Sequence, residues 1–444
     1  MENGLQVSVS GVRGMYPDFL TSSVANMFGV AFGSYTKEKR VLVCRDTRAS
    51  GESLKEAVIT GLLCTGKDVL DLGIAATPEL SYVIEKIEKA PGVVITASHN
   101  PSEYNGIKFF SEKGVYLNSG ECRKLLNIYD KKSFNIAENP GFVFFRKYTD
   151  EYFSGIYGTV DVERIKKRKF RVVVDVCQGV GGLLSERFLE GLGCDVTVIN
   201  REPAGLFSHN PEPLAENLHQ LADRVVAEKA DVGFAQDPDC DRLAIVCDDG
   251  RIPGEEMTVV LCIRNFLEKK KGPVVVNLST TSLVDEVARD FGVDVYRTKI
   301  GEINVVEEMK KVCSVIGGEG NGGVICPDVH YGRDSFVGMA LILEYAARRH
   351  ETLSGITKEL PQYYMLKKKI MIRDRQTHTM IERLKKEYGE KENVDLADGI
   401  KIIRQDGWIH IRPSGTEPVL RIYAEGKTKE IAEKYLSEFT CLFH

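Results

Sequence analysis

The chain has 444 residues, with 59 Lys and Arg against 64 Asp and Glu and a formal net charge of −5. At 43% hydrophobic and 28% charged residues it reads as an ordinary globular chain, long enough for about three or four domains of roughly 100–200 residues each. The negative balance argues against a nucleic-acid partner, and the lack of any run near 18 apolar residues argues against a membrane span.

Basic runs exist (Lys131-Lys132, Lys166-Lys167-Arg168-Lys169, Lys269-Lys270-Lys271, Lys367-Lys368-Lys369), but they are short, scattered and not interleaved with aromatics for base stacking. The eleven cysteines are dispersed, odd in number and contain no C-x-x-C pair. That pattern fits buried thiols in a reducing compartment better than a disulfide framework or a zinc site. No basic segment followed by an apolar stretch opens the chain, so the cytoplasm is the expected location.

Ser10-Gly11-Val12-Arg13-Gly14 presents an arginine between glycines. Its planar fork suits a phosphate, although a turn with a structural arginine is an equal reading. Val41 to Cys44 reads as a strand ending in Arg45-Asp46-Thr47-Arg48, followed by helical spacing from Gly51 to Leu63 and a strand from Val69 to Ile74. Thr77-Pro78 opens the next helix, since proline is tolerated in a first turn. Strand, helix and strand at this pitch predict a parallel sheet covered on both faces. The third such strand, Val93-Val94-Ile95, empties into Thr96-Ala97-Ser98-His99-Asn100-Pro101. There Ser98 is a candidate nucleophile or phosphate carrier, His99 a proton shuttle, and Lys108 a cation ten residues on; the competing reading is a surface turn with an incidental serine.

The pattern restarts near Tyr148. Lys169 to Val176 is a strand, and Gly179, Gly181 and Gly182 mark a strand-to-helix turn rather than a G-x-G-x-x-G fingerprint. Another strand spans Cys194 to Ile199. Val232-Gly233-Phe234-Ala235 then enters Gln236-Asp237-Pro238-Asp239-Cys240-Asp241-Arg242. Three carboxylates at alternate positions repel one another unless a cation sits among them, and all-oxygen donors select Mg²⁺ before Zn²⁺. An EF-hand is excluded, because its glycine would be Arg242 and its terminal glutamate Asp248. Cys240 between the aspartates is expected to point into the sheet as a small hydrophobe.

A third restart runs from about Arg251 to Pro361, with a strand over Val274 to Leu278, a helix over Thr281 to Phe291 and a strand over Val293 to Arg297. Val312 to Ile316 is expected as the strand entering Gly317-Gly318-Glu319-Gly320-Asn321-Gly322-Gly323, where Glu319 and Asn321 suit sugar hydroxyls. The repeat across the three segments is thus one of topology rather than of residues. The last segment opens at Lys367, has a helix from about Thr377 to Tyr388, and sends Trp408-Ile409-His410-Ile411 into Arg412-Pro413-Ser414-Gly415-Thr416-Glu417-Pro418. Hydroxyls, a glycine N–H and an arginine make an anion cradle there, and Arg421 lies on the returning strand Val419 to Tyr423.

Together, in this order and at these intervals, the TASHNP, DPDCDR, GEGNGG and RPSGTEP loops resemble the α-D-phosphohexomutase family over essentially the whole chain. The resemblance implies an α/β, four-domain architecture: three related α/β domains with mixed or mostly parallel sheets, and a C-terminal α+β domain, around a central cleft. The expected domains are 1–147 (phosphoserine loop), 148–250 (magnesium), 251–364 (sugar) and 365–444 (phosphate). The resemblance makes Ser98 the phosphorylated serine, and Asp237, Asp239 and Asp241 the Mg²⁺ ligands together with its phosphate. Arg242 would brace that phosphate, Arg13 matches the arginine of the family's N-terminal loop, and His99 and Lys108 resemble the family's acid and base candidates. Glu319 and Asn321 would bind the sugar, and Arg412, Ser414, Gly415, Thr416 and Arg421 the substrate's own phosphate.

Two departures from the family pattern stand out. Its usual F-G-T-[SD]-G opening is here Val7-Ser8-Val9-Ser10-Gly11, and the GEMSGH or GEQSGH of many bacterial members is GEGNGG, with His330 the nearest histidine downstream. The implied activity interconverts hexose 6-phosphate and hexose 1-phosphate through a hexose 1,6-bisphosphate, with glucosamine, mannose or glucose as the sugar and a monomer or homodimer as the assembly. Two rival readings are an aspartyl-phosphate phosphatase using Asp237 and a non-catalytic sugar-phosphate sensor.

Overall fold

The computed structural model describes residues 4–8, 11–202, 205–371, 376–414 and 419–441, which form four sheets in succession along the chain. The first is built on strands Arg40–Arg45, Asp68–Ile74, Gly92–Ile95 and Tyr104–Phe110. The first three run parallel with Arg40–Arg45 in the middle, and Tyr104–Phe110 returns antiparallel beside Gly92–Ile95. The second sheet repeats this order with Arg171–Asp175, Asp195–Ile199, Val232–Gln236 and returning Leu243–Cys247. The third repeats it again with Val274–Asn277, Val295–Thr298, Ile316–Glu319 and returning Gly323–Ile325.

The Ser98, aspartate and glycine-rich loops therefore occupy one topological position, the hairpin between the third parallel strand and its antiparallel return. Each hairpin carries a left-handed residue: Ser98 at φ 51°, Cys240 at φ 62° and Gly322 at φ 85°. Outside glycine that conformation is uncommon, and it concentrates at functional turns.

The central strands read as continuous apolar runs because helices cover both faces of the sheets. In the first sheet one hydrophobic cluster joins Val41, Val43 and Ile95 to helices Ser22–Tyr35 and Gly51–Cys64. On the other face, Leu42, Cys44 and Val94 share a cluster with Val275, Ile303, Met309 and Ile325 of the third unit. A further cluster runs through the second and third units together. The C-terminal sheet is antiparallel throughout, in the order Tyr364–Met371, Val419–Gly426, Gly407–Pro413, Ile400–Arg404, Asn393–Asp395. Helices Gln376–Tyr388 and Lys429–Thr440 pack on one face of it, over Ile400, Ile402, Ile409, Ile411, Leu420 and Ile422. Among the described residues no helix is long and apolar enough to cross a membrane.

The sheets of the first three units are mixed, within the expected mixed or mostly parallel architecture, since each functional strand is followed by an antiparallel return. Two expectations are corrected. Arg13 lies in strand Gly11–Met15, paired with Gly106, and not in a turn. The apolar run Val312 to Ile316 is not a strand: it ends helix Glu302–Val312 and turns through Cys313 at φ 53°. The strand itself is Ile316–Glu319, half glycine, and so carries little hydropathic signal.

Candidate active site

The Ser98 loop is built around a buried arginine. Arg48 donates through Nη1 to the carbonyls of Pro101 (2.6 Å) and Tyr104 (2.8 Å), and through Nη2 to those of Ser98 and Asn100 (both 2.6 Å). Its Nε donates to Asp46 Oδ2 at 3.1 Å, and that oxygen also accepts from Thr96 Oγ1 at 2.6 Å. Thr96 Oγ1 accepts in turn from the Ser98 amide at 2.9 Å. With its backbone fixed on both sides, Ser98 directs its hydroxyl to Asp237 Oδ2 at 2.9 Å, and its Oγ lies 3.4 Å from His99 Nδ1. Arg13 Nη1 donates to Asn100 Oδ1 at 2.5 Å; burial, and then the charge of Arg242, lowers its pKa to about 10.

Opposite lies the aspartate loop. Asp237 Oδ1 closes its own turn by accepting the amides of Asp241 (3.0 Å) and Arg242 (3.1 Å). Asp239 Oδ2 accepts from Lys108 Nζ and Thr77 Oγ1, each at 2.7 Å, and Asp241 Oδ2 accepts from Arg333 Nη2 at 2.5 Å. The three carboxylates are fully buried, and one ligand atom from each falls within 4.8 Å of the others. Two oxygens, Asp239 Oδ1 and Asp241 Oδ1, are buried with no hydrogen-bond partner. Orphaned carboxylate oxygens beside a third carboxylate are costly in a bare protein and fit a hard cation such as Mg²⁺.

Burial and the neighbouring aspartates push Asp237 well up, whereas for Asp241 burial is outweighed by Arg333 and Lys108 and the pKa falls. The glycine run after strand Arg171–Asp175 explains how the loop is approached. A Cβ on Gly179 would lie 2.5 Å from Pro238 Cα, so only glycine lets this turn pack against the aspartate loop.

Lys108 is buried, and although desolvation disfavours its charge, Asp239 and then Tyr116 and Asp241 raise its pKa. Its Nζ is 3.8 Å from Asp241. His99 is shifted the other way: burial, then Arg242 and Arg13, hold it well below the ordinary histidine range. Its Nε2 lies 3.7 Å from Glu212, which also stands 3.5 Å from Arg242 Nη1.

In the glycine-rich hairpin, Glu319 is buried and held on both oxygens. Oε1 accepts from Asn277 Nδ2 (2.9 Å) and the Gly301 amide (3.0 Å), and Oε2 from Arg333 Nη1 (2.8 Å). Asn321 Oδ1 accepts the Gly323 amide at 3.2 Å, so that oxygen serves its own turn. A Cβ on Gly322 would sit 2.2 Å from the Leu243 carbonyl, which is how this hairpin reaches the strand leaving the aspartate loop. His330 is fully buried between Ser81 Oγ and Asp334 Oδ2, both at 3.0 Å, in a chain that includes Tyr152, so it does not replace the absent loop histidine. In the C-terminal hairpin Arg412 Nε donates to Asp398 Oδ2 at 3.1 Å, opposite Arg421 in the adjacent strand, and the Ser414 amide donates to the Val419 carbonyl. Gly415 and Thr416 lie outside the described residues.

Models of the phosphoglucomutase/phosphomannomutase family match four consecutive stretches: α/β/α domain I over residues 5–136, domain II over 150–250, domain III over 254–364 and the C-terminal domain over 368–440. A phosphoglucomutase/phosphomannomutase of Thermococcus kodakarensis is 40% identical over 437 residues, 96% of this chain and 95% of that one. The chain belongs to the phosphoglucomutase/phosphomannomutase family. It is a phosphohexomutase, an isomerase-class phosphotransferase. A phosphoglucosamine/phosphogalactosamine mutase of Sulfurisphaera tokodaii is 33% identical over 98% of both chains. Among solved structures, a phosphoglucomutase/phosphomannomutase family protein from Burkholderia thailandensis superposes with a TM-score of 0.87 at 27% identity, covering 98% of this chain and 97% of that one.

Several residues of this phosphohexomutase site carry no motif of their own. Arg333 links separate units: besides Asp241 and Glu319, its Nε donates to Glu302 Oε2 at 2.8 Å, so one guanidinium ties the aspartate loop to the glycine-rich loop. Its one sequence cue is a charged pair, Arg333-Asp334, placed directly before the apolar helix Ser335–Arg349. Arg48 stands at a strand end, Thr77 at a helix start and Asp398 in a turn between short strands, positions where polar residues are ordinary.

Proposed function

We propose that Ser98 of this phosphohexomutase carries the phosphoryl group. The observation that carries the reading is the Ser98 hydroxyl, 2.9 Å from Asp237 and facing a carboxylate cluster with two partnerless oxygens. In the transfer, the phosphorus–Oγ bond of phosphoserine breaks as a bond forms to a hydroxyl oxygen of the hexose phosphate. The hydroxyl's proton passes to a base, and Ser98 Oγ recovers a proton when the enzyme is dephosphorylated. His99, nearest to Oγ, accepts, and Lys108, held as its ammonium by Asp239, donates. Arg13 and Arg242 flank the loop and stabilise charge on the phosphoryl oxygens. Asp237, Asp239 and Asp241, with the phosphate on Ser98, would hold Mg²⁺, which supplies neutralisation of the charge gathered during transfer. The 1,6-bisphosphate then turns end for end and returns its other phosphate to Ser98.

Glu319 is assigned to the sugar hydroxyls, and Arg412, Ser414, Gly415, Thr416 and Arg421 to the phosphate that is not reacting. The substrate class is hexose 6-phosphates, and the two relatives' names divide over the sugar, so kcat/KM for the glucose, mannose and glucosamine compounds assigns it. The eleven free cysteines, seven of them buried, support a reducing, cytoplasmic setting.

Intact-mass analysis with peptide mapping tests the central assignment. About one phosphate on Ser98, discharged by substrate, is expected. Phosphate on Asp237 would instead make the enzyme an aspartyl-phosphate phosphatase, and absence of turnover would make the chain a sensor. Against the phosphatase, both Asp237 oxygens are already committed, to Ser98 and to two backbone amides.

A further inference from the structure

We propose that the chain forms a two-fold homodimer by antiparallel pairing of strand Val143–Phe145 with its copy, the axis passing beside Phe144. Among the described residues the strand is the last in the first sheet, bonded only along one side, to Asp68–Ile74. Proteins usually protect such an edge with charge, proline or a covering element, because it is a template for further pairing. Here the sequence is Phe142-Val143-Phe144-Phe145, exposed by 69%, 49%, 51% and 66%.

The backbone shows which groups point outward. The Phe142 carbonyl accepts from the Val69 amide, and the Arg146 amide donates to the Asp71 carbonyl, so the even-numbered residues bond inward. By alternation, Val143 and Phe145 present their N–H and C=O groups to the free side. Pairing Val143 with Phe145 of a second copy, and Phe145 with its Val143, satisfies both at once. It closes as an isologous pair, the symmetry expected of a soluble dimer. In that register Phe144 faces Phe144 of the second copy, and Phe142 faces its Arg146. Aromatic and cation–π pairs meet across the seam and no like charges oppose each other.

The size agrees. Those side chains leave on the order of 450 Å² of apolar surface per copy. A stable interface takes about 800 Å² from each partner, a little over half of it apolar. Three strands, Asp68–Ile74, Arg40–Arg45 and Gly92–Ile95, separate this edge from Tyr104–Phe110, the strand bearing Lys108, so dimerisation leaves the active site untouched.

Light scattering on the size-separated full chain at micromolar concentration should give about twice the 49.5 kDa chain mass. Phe144→Asp should give a monomer with unchanged kcat/KM, which also certifies its folding. In a chain whose exposed Cys64, Cys313 and Cys441 are changed to Ser, Phe144→Cys should form an intermolecular disulfide under mild oxidation, mapped by mass spectrometry. Facing residues of a non-hydrogen-bonded pair have Cα atoms about 4.5 Å apart, within disulfide range. A monomeric wild type, a dimer that survives Phe144→Asp, or failure of the Phe144→Cys chain to cross-link would each overturn the proposal.

Discussion

The junction between the Ser98 and aspartate loops and the seam that carries the C-terminal unit are built from opposite materials. The junction is buried and over-determined: Ser98 and Lys108 bond Asp237 and Asp239 across it, Arg333 ties Asp241 to two carboxylates of the third unit, and apolar clusters run between the units that supply them. The C-terminal unit has its own hydrophobic cluster, drawn from residues 370–439, and meets the third unit through polar groups. Lys401 Nζ donates to the Leu278 carbonyl at 2.6 Å, His410 Nδ1 lies 2.8 Å from Ser279 Oγ, and Glu425 Oε1 accepts the Ser282 amide at 2.9 Å. Asp398 bridges Arg412 to the Ile300 amide.

An apolar junction resists opening because its surface would be wetted, whereas polar groups that separate recover water as a partner. Phosphoryl transfer needs atoms held to fractions of an ångström. Under the proposed function, releasing and re-gripping a bisphosphate needs a grip that can let go, and the two kinds of joint suit the two proposed tasks.

The sharpest break in this picture is Ser98→Ala. It should remove the covalent phosphate and lower turnover by about three powers of ten or more, while leaving the fold intact. Peptide mapping and steady-state rates check both parts.

Arg333→Met comes next, because it strands Asp241, Glu319 and Glu302 together. Removing one partner of a buried ion pair costs about 3–5 kcal/mol, so a drop in Tm should accompany a loss of kcat. A double-mutant cycle with Asp241→Asn should show strong non-additivity. Additive effects would mean that the aspartate and glycine-rich loops are independent.

Arg412→Ala should act on the grip alone. Hydrogen bonds to charged groups are worth about 1.5–3 kcal/mol each, so kcat/KM should fall by roughly one to two powers of ten per bond lost, mostly as raised KM. More free bisphosphate should be released, and Ser98 should remain phosphorylated. Loss of that phosphate would erase the distinction between grip and chemistry.

The smallest effect at neutral pH concerns His410, whose pKa burial lowers to about 4. A histidine with a depressed folded pKa contributes stability that is intact above its unfolded value near 6.5 and is lost as pH falls toward 4. The loss is about 3 kcal/mol over that window, and His410→Gln should flatten it in pH-dependent melts. Equal acid sensitivity in the variant would place the labile groups elsewhere.

Local chemistry makes much of this molecule legible. Apolar strands such as Val41 to Cys44 and Val69 to Ile74, and helices such as Gly51–Cys64, follow from periodicity that burial enforces. The aspartate triplet is legible because three carboxylates so close demand a cation. Strand Ile316–Glu319 is not, because its glycines pack by lacking side chains. Arg13 reads as a turn residue because its strand is short, and its partner Gly106 lies more than ninety residues away.

The order of the units, the loop that each presents, and the residue types able to do phosphoryl chemistry there are all written along the chain. Packing of the sheets was needed to bring Ser98 to Asp237 across 139 residues, to pair Lys108 with Asp239 across 131, and to join Asp241 to Glu319 through Arg333. Periodicity and local repulsion are properties of neighbours along the chain. Ion pairs between loops arise only when separate sheets pack, and an arginine or a threonine at an element end carries no mark of the distant carboxylate it will hold.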